Sequence, residues 1–305
     1  MDNDAWPSLP LDAWADTYAT LHMWLQIVGK IRLRCSPPLN HQWHSALYVT
    51  ARGLTTSPIA YHSRVFEIDF DFIDHRLTID SSDGRRGVIA LEPQPVAAFY
   101  RAVMAAMTRL ELPVPIHPRP NEVADAIRFE DDEVHQSYDK EYANRFSRVL
   151  QQTDRVFKQF RSRFIGKCSP VHVFWGGPDL AVTRFSGRTA PQHPGGIPNM
   201  PDEITREAYS HEVSSGGFWP GGGPVPYPTF YAYAYPEPPG FADARVTPAP
   251  AFYSRDLREF LLPYDAVRTA ASPDDVLLEF LQSSYEAAAD LAGWDRRALE
   301  RDAPV

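Results

Sequence analysis

The chain has 305 residues, of which 44% are hydrophobic, 12% aromatic and 23% charged, a composition that buries a core and excludes disordered, collagen-like and fibrous proteins. Its net charge of -9 repels phosphate backbones and anionic lipid, which argues against a nucleic-acid or membrane-surface partner. Only Cys35 and Cys168 are available for thiol chemistry, which excludes a disulfide scaffold and a multi-cysteine zinc ribbon.

The N-terminal MDNDAWPSLPLDAW has no basic stretch and no apolar run, so a cytoplasmic location is expected. Residues 16–30 then carry Tyr18, Leu21, Trp24, Leu25 and Val28 at three- and four-residue steps, the stripe of one buried helix face, with Gly29 expected to stop it. From 44 to 89 the pattern changes to short β-rich runs, SALYVTA, RVFEIDFDFI, HRLTID and RGVIAL, the last two separated by a turn at Ser82, Asp83 and Gly84. Within this meander Phe66, Ile68, Phe70 and Phe72 alternate with Glu67, Asp69 and Asp71. The carboxylate face is either solvated, or binds a cation or faces arginines. Residues 96–110 return to helical spacing, and 113–132, with Pro113, Pro115, Pro118 and Pro120, reads as a linker.

The second part repeats that order. Residues 139–166 form a charged helix with the apolar stripe Phe146, Val149, Leu150, Val156, Phe157, Phe160 and Phe164. Strands are expected at PVHVFW, DLAVTRF, REAYSHEV, TFYAYAY and EFLLPY, and residues 274–292 close with a helix capped by Ser272 ahead of Pro273. Residues 35–58 and 168–191 align without a gap, matching at Cys35/Cys168, Ser36/Ser169, Pro37/Pro170, Leu47/Leu180, Val49/Val182, Thr50/Thr183, Thr56/Thr189 and Pro58/Pro191. The fold expected is α+β with an internal duplication, residues 1–120 and 121–305 each forming a helix, an antiparallel meander and a closing helix. Two such halves pack into one body, with a site in the groove between them.

Candidate chemistry centres on histidine. His41 and His44, three apart in NHQWH, can share a metal or flank a reacting proton. His211 lies near Trp219 and a glycine-rich run, 214–223, that reads as a mobile flap with the indole as its lid. His172 opens the second meander, whereas His22 and His193 read as packing and loop residues. A set of His41, His44, His172 and His211 would suit zinc or iron better than magnesium or calcium, while Glu212 points away from His211 across the strand. Ser210, also on the opposite face, is not expected to form a dyad with His211. Arg52 and Arg184, in the matched segments, would form an anion clamp, and Tyr231 and Tyr233 in FYAYAY would line a substrate wall. No phosphate loop, dinucleotide glycine fingerprint, G-x-S-x-G elbow or H-E-x-x-H motif is present.

The words NHQWH (40–44), YVTARGLTTSPI (48–59), FEIDFDFIDH (66–75), SPVHVFWG (169–176) and EAYSHEVSSGGFWPGGG (207–223) resemble those of an uncharacterised bacterial family of about 300 residues, over nearly the whole chain. That resemblance implies no activity, cofactor or catalytic residue. The residues themselves lead to an expectation of a small-molecule enzyme, metal-dependent or acid/base, with His211, His44 and His41 as catalysts and iron or zinc as the metal. The alternative is a non-catalytic small-molecule binding protein using the same cleft, walled by Trp219, Tyr231, Tyr233, Arg52 and Arg184. The oligomeric state stays open.

Overall fold

The structure, a computed structural model, describes residues 5–301. Helix α1 (Ala15–Cys35) is buried on nearly every side, with Leu21, Trp24, Leu25, Val28 and Ile31 fully enclosed. A helix that is enclosed all round sits at the centre of its protein rather than on its surface. The expected stop at Gly29 does not occur. A Cβ at Gly29 would fall 2.1 Å from Cδ1 of Trp175, so this glycine is the socket for an indole that comes from far along the chain.

After α1 come β1 (Tyr48–Val49), β2 (Gly53–Thr55), β3 (Ile59–Tyr61), β4 (Arg64–Asp71), β5 (Arg76–Ser81) and β6 (Arg86–Ala90), then α2 (Val96–Arg109). They form a 6-stranded antiparallel sheet in the order β1-β2-β4-β5-β6, with β3 also paired to β4. The alternation in β4 is as expected: Phe66, Ile68, Phe70 and Phe72 are buried. On its other face Asp71 accepts from Arg52 at 2.8 Å, and Arg76 reaches Asp74 at 2.9 Å.

Residues 113–139 are irregular apart from one short turn, and lead into α3 (Lys140–Ser162), capped by Asp139 accepting from the Tyr142 amide at 3.0 Å. A second 6-stranded antiparallel sheet, ordered β11-β12-β10-β9-β8-β7, is built from β7 (His172–Phe174), β8 (Asp179–Thr189), β9 (His211–Trp219), β10 (Thr229–Tyr235), β11 (Phe252–Ser254) and β12 (Glu259–Pro263). Short helix α4 (Asp202–Ala208) precedes β9 and takes up the first three residues of the segment where a REAYSHEV strand was expected, while its last three open β9. Helices α5 (Tyr264–Arg268), α6 (Pro273–Leu291) and α7 (Arg296–Leu299) complete the order. Leu47 and Val173 exchange both backbone hydrogen bonds, at 2.9 and 2.8 Å, which joins the edge of the first sheet to the edge of the second. Helix α3 braces that join, packing against β1, β2, β8 and α6.

The α+β class with two antiparallel sheets holds, but the matched windows do not adopt matching structure. The shift that sets Cys35 on Cys168 lays the long strand β8 over β1, a reversal at 50–52 and β2, and lays β7 over a helical turn at Asn40–Gln42. The glycine-rich flap is also corrected: residues 214–219 are strand, paired with β10 throughout and with β8 as far as Phe218. Gly216 and Gly217 are needed there because a Cβ would fall 2.6 Å from Leu281 on one face and 2.1 Å from the Tyr231 ring on the other. Among the described residues, no helix is long and apolar enough to cross a membrane.

Candidate functional site

The second sheet has two unlike faces. Leu180, Val182, Phe218, Phe230, Ala232 and Leu262 are buried, on the side where α3 and α6 pack. The residues between them, Asp179, Ala181, Thr183 and Phe185 on β8, Ser215 and Trp219 on β9, Tyr231 and Tyr233 on β10, and Glu259 on β12, line a cavity of about 510 Å³. That is the size of a small-molecule site. Its roof comes from the earlier part of the chain and from the segment before β9: Leu33 of α1, His41, Gln42, Trp43 and Ser45, Asn121 and Glu122, Trp175, and Thr205, Ala208 and Tyr209. The Trp175 indole is fixed there by donating to the Ser45 carbonyl at 2.8 Å.

One end of the cavity is acidic. Asp179 accepts a very short hydrogen bond from the Tyr231 hydroxyl. Burial pushes the Asp179 carboxyl up to about 7, opposed by that bond and reinforced by Glu122. Burial, then the nearby Asp179, pushes Glu259 up to about 7 as well. Glu122, at the exposed rim, is raised by desolvation. The Tyr231 phenol is pushed well above its ordinary range by burial and by Asp179, so it stays a donor. Behind the pair, Tyr209 and Tyr233 share a hydroxyl hydrogen bond of 2.9 Å, and Thr183 and Ser215 one of 2.8 Å. No lysine or arginine lines the cavity, and among the described residues none forms an ion pair with Asp179, Glu259 or Glu122. Carboxyls buried without a counter-charge keep their protons to unusually high pH. Two ammonium groups stand behind the wall: Lys30 is spent on Asn121 Oδ1 and lies 5.5 Å over Trp175, and Lys167, at the opposite end, lies 4.8 Å over the Phe185 ring.

The other end holds the histidines. His41 is buried between two partners, its Nδ1 2.9 Å from the Ala208 carbonyl and its Nε2 2.6 Å from Lys167 Nζ. Since a carbonyl only accepts, Nδ1 carries the proton and Nε2 accepts a hydrogen bond from the lysine ammonium, leaving neither nitrogen free. Burial first of all lowers the His41 pKa, as Lys167 and His211 also do. The His211 ring stands 5.9 Å from that of His41, and Ser210 Oγ lies 3.0 Å from His211 Nδ1. That contact was not expected; it arises because β9 starts at His211, leaving Ser210 in the preceding turn. Glu212 points away as expected, accepting from Ser186 and Arg188. His44 accepts from the Leu39 amide at 3.1 Å and does not line the cavity. His172 does line it, with Nδ1 2.7 Å from the Pro170 carbonyl and Nε2 enclosed without a partner, and burial lowers its pKa to about 4.

The donors for a metal therefore do not converge. Among the described residues no three histidine, cysteine, aspartate or glutamate side chains are grouped to hold an ion. Zinc needs at least three protein ligands around one point. The iron or zinc expectation for His41, His44, His172 and His211 finds no support in this geometry.

Of the expected walls, Trp219, Tyr231 and Tyr233 face the cavity and the two arginines do not. Arg52 lies on the first sheet, exposed and paired with Asp71 and Asp74 at 2.8 Å each. Arg184 is 0% exposed on the opposite face of the second sheet, its guanidinium 3.5 Å from the centre of the Phe160 ring and 4.3 Å from that of Tyr285. Strand alternation explains it: Thr183 and Phe185 face the cavity, so Arg184 between them cannot. The residues missed from the sequence are Asp179, Glu259 and Glu122. The signal for Asp179 was present, since alternation along DLAVTRF puts it on the face of Ala181, Thr183 and Phe185.

A family model, a family of unknown function (DUF5996), matches residues 6–301. The chain belongs to that family. Nothing among curated proteins or solved structures matches it. In this member of DUF5996, then, function rests on the cavity alone.

Proposed function

We propose that this DUF5996 chain is an enzyme acting on a small molecule by general acid/base catalysis, with Asp179 and Glu259 as the proton-handling pair. One observation carries the reading: two carboxyls, both raised to about 7 by burial, open onto the same cavity beside a phenol that donates to one of them. Carboxyls at ordinary values would be fully ionised at neutral pH and unable to donate. A pair shifted this far holds a proton and a vacancy together, the condition for acid and base roles in one site.

The hydrogen bond supports a division of roles. Tyr231 donates to Asp179 and so stabilises its ionised form, which makes Asp179 the base. Glu259 has no such donor and keeps its proton, which makes it the acid. The phenyl and indole rings of Phe174, Trp175, Phe185 and Trp219 exclude water around the reacting group. The histidine end contributes shape: His41 and Lys167, tied to each other, position the loop that roofs the cavity. The binding-protein alternative shares these walls and differs only in lacking turnover.

The test is substrate depletion. Wild-type chain and Asp179→Asn are incubated with a defined mixture of small metabolites and the mixture is followed by mass spectrometry. The expected result is a compound consumed by wild type about 10²- to 10⁴-fold faster than by the variant, the usual contribution of a positioned acid or base. A compound that wild type binds and never converts would sink catalysis and leave the binding reading standing.

A further inference from the structure

We propose that the cavity receives a small organic cation, an ammonium or guanidinium group carried on an apolar or aromatic body. This rests on the cavity being the ligand site, as in the preceding reading, and adds the chemical class of the ligand.

The charged groups on the cavity wall have one sign. Glu122, Asp179 and Glu259 line it, no lysine or arginine does, and the bordering histidines, His41 and His172, are neutral by the bonds they make. An anion placed here would be desolvated against carboxyls, whereas a cation would supply the missing counter-charge. The wall is rich in aromatic rings, among them Phe174, Trp175, Trp219, Tyr231 and Tyr233. Ring faces attract cations, and they attract guanidinium and alkylated ammonium more than small hydrated ions.

The protein already uses both halves of this chemistry on its own side chains. Arg184 is held among the rings of Phe160, Phe164 and Tyr285 with two of its nitrogens, Nε and Nη1, unpartnered, and Lys30 lies over Trp175. An inorganic cation fits less well, because among the described residues the acidic side chains do not group around one point. The wall polar groups at this end are overwhelmingly acceptors: two carboxyls with unused oxygens, together with hydroxyls already paired to each other. A ligand that satisfies them must donate several hydrogen bonds, as ammonium and guanidinium do. The acidic groups stand at one end and the histidine loop at the other, so the charged head lies toward Asp179 and Glu259 with the body toward Phe185 and Trp43.

The experiment is calorimetric titration of the full chain at about pH 8, where the raised carboxyls are ionised. The probes are a matched set: phenethylammonium and benzylguanidinium as cations, 2-phenylethanol as the neutral form, phenylacetate as the anion. The expected result is that a cation binds at least about tenfold more tightly than the neutral probe, with the anion weakest. Asp179→Asn and Glu259→Gln should each remove most of that preference while leaving the affinity for 2-phenylethanol unchanged; circular dichroism shows whether each has folded, and either alone suffices. Equal or tighter binding of the neutral or anionic probe, a cation preference that survives both substitutions, or no binding by any of the four overturns the proposal. Loss of turnover in Asp179→Asn on an uncharged substrate would overturn the cation class and keep catalysis, whereas cation-selective binding with no compound converted would do the reverse.

Discussion

Asp71 on the first sheet and Asp179 and Glu259 on the second are acidic strand residues handled in opposite ways. On the first sheet Asp71 accepts from Arg52 and from the amides of Ile73 and Asp74, Asp80 pairs with Arg86, and Asp83 with Arg64 and Arg85. On the second, Asp179 and Glu259 meet a phenol, a neighbouring carboxyl and a cavity. Burial alone would raise Asp71, but the Arg52 and backbone hydrogen bonds outweigh it and hold the carboxyl below its usual value, whereas Asp179 is raised. Paired acids stabilise a fold. Unpaired buried ones cost stability, and proteins keep them where a ligand or a proton makes use of them.

The largest effect expected from that contrast is on turnover. Asp179→Asn should lower kcat by about 10²-fold or more, and Asp71→Asn, which removes a buried but arginine-paired aspartate from the other sheet, should leave it within about twofold. Steady-state rates on the substrate found by depletion measure both. Equal losses would erase the distinction between the sheets.

Next comes the packing that shapes the cavity. Gly217→Ala drives a Cβ to within 2.1 Å of the Tyr231 ring, and Gly29→Ala does the same to Trp175. Each should destabilise by about 1–3 kcal/mol, the usual cost of overpacking, seen as a lower urea midpoint with unchanged slope. Because Tyr231 is the donor to Asp179, Gly217→Ala should also lower turnover.

A smaller effect, with opposite signs in the two sheets, is the pH dependence of stability. The Asp179 carboxyl is raised from 3.8 to about 7. The folded chain therefore keeps a proton that the unfolded chain releases, and stability falls as pH rises from about 4 to about 7. Asp179→Asn should then be more stable than wild type above about pH 7 by about 1–3 kcal/mol, a figure discounted because the side chain is only partly enclosed where it lines the cavity, and the gain should vanish near pH 4. Asp71 is lowered, so its contribution is present at neutral pH and lost as pH falls through its folded value. Asp71→Asn should destabilise by about 1–3 kcal/mol at neutral pH and progressively less in acid. Thermal unfolding of both variants across pH tests the signs. The smallest effect belongs to Arg52→Ala: its 47% exposed side chain lies outside the cavity, so ligand affinity should not change.

Much of the scaffold was legible because its signals are local. The stripe Phe146, Val149, Leu150, Phe157 marked α3, and the alternation in FYAYAY placed Tyr231 and Tyr233 on the cavity side with Phe230 and Ala232 in the core. What failed was long-range. Gly29 reads as a helix stop until Trp175 is seen to occupy its missing side chain, and Gly216 and Gly217 read as a flap until Leu281 and Tyr231 close on them. Histidine spacing drew attention to His41 and His44, yet hydrogen bonds to Ala208, Lys167 and Leu39 engage those rings. Asp179, Glu259 and Glu122 share no short spacing, and only the fold brings them to one cavity.

The central claim is that Asp179 and Glu259 form a buried pair titrating near neutrality. Carboxyl infrared absorption, or carbon NMR of labelled carboxyl groups, followed across pH with Asp179→Asn and Glu259→Gln to assign the signals, measures this directly. The account predicts a pair of apparent pKa values near 7 in the ligand-free chain, with the remaining member falling when its partner is neutralised. Two carboxyls titrating independently near 4 would contradict it.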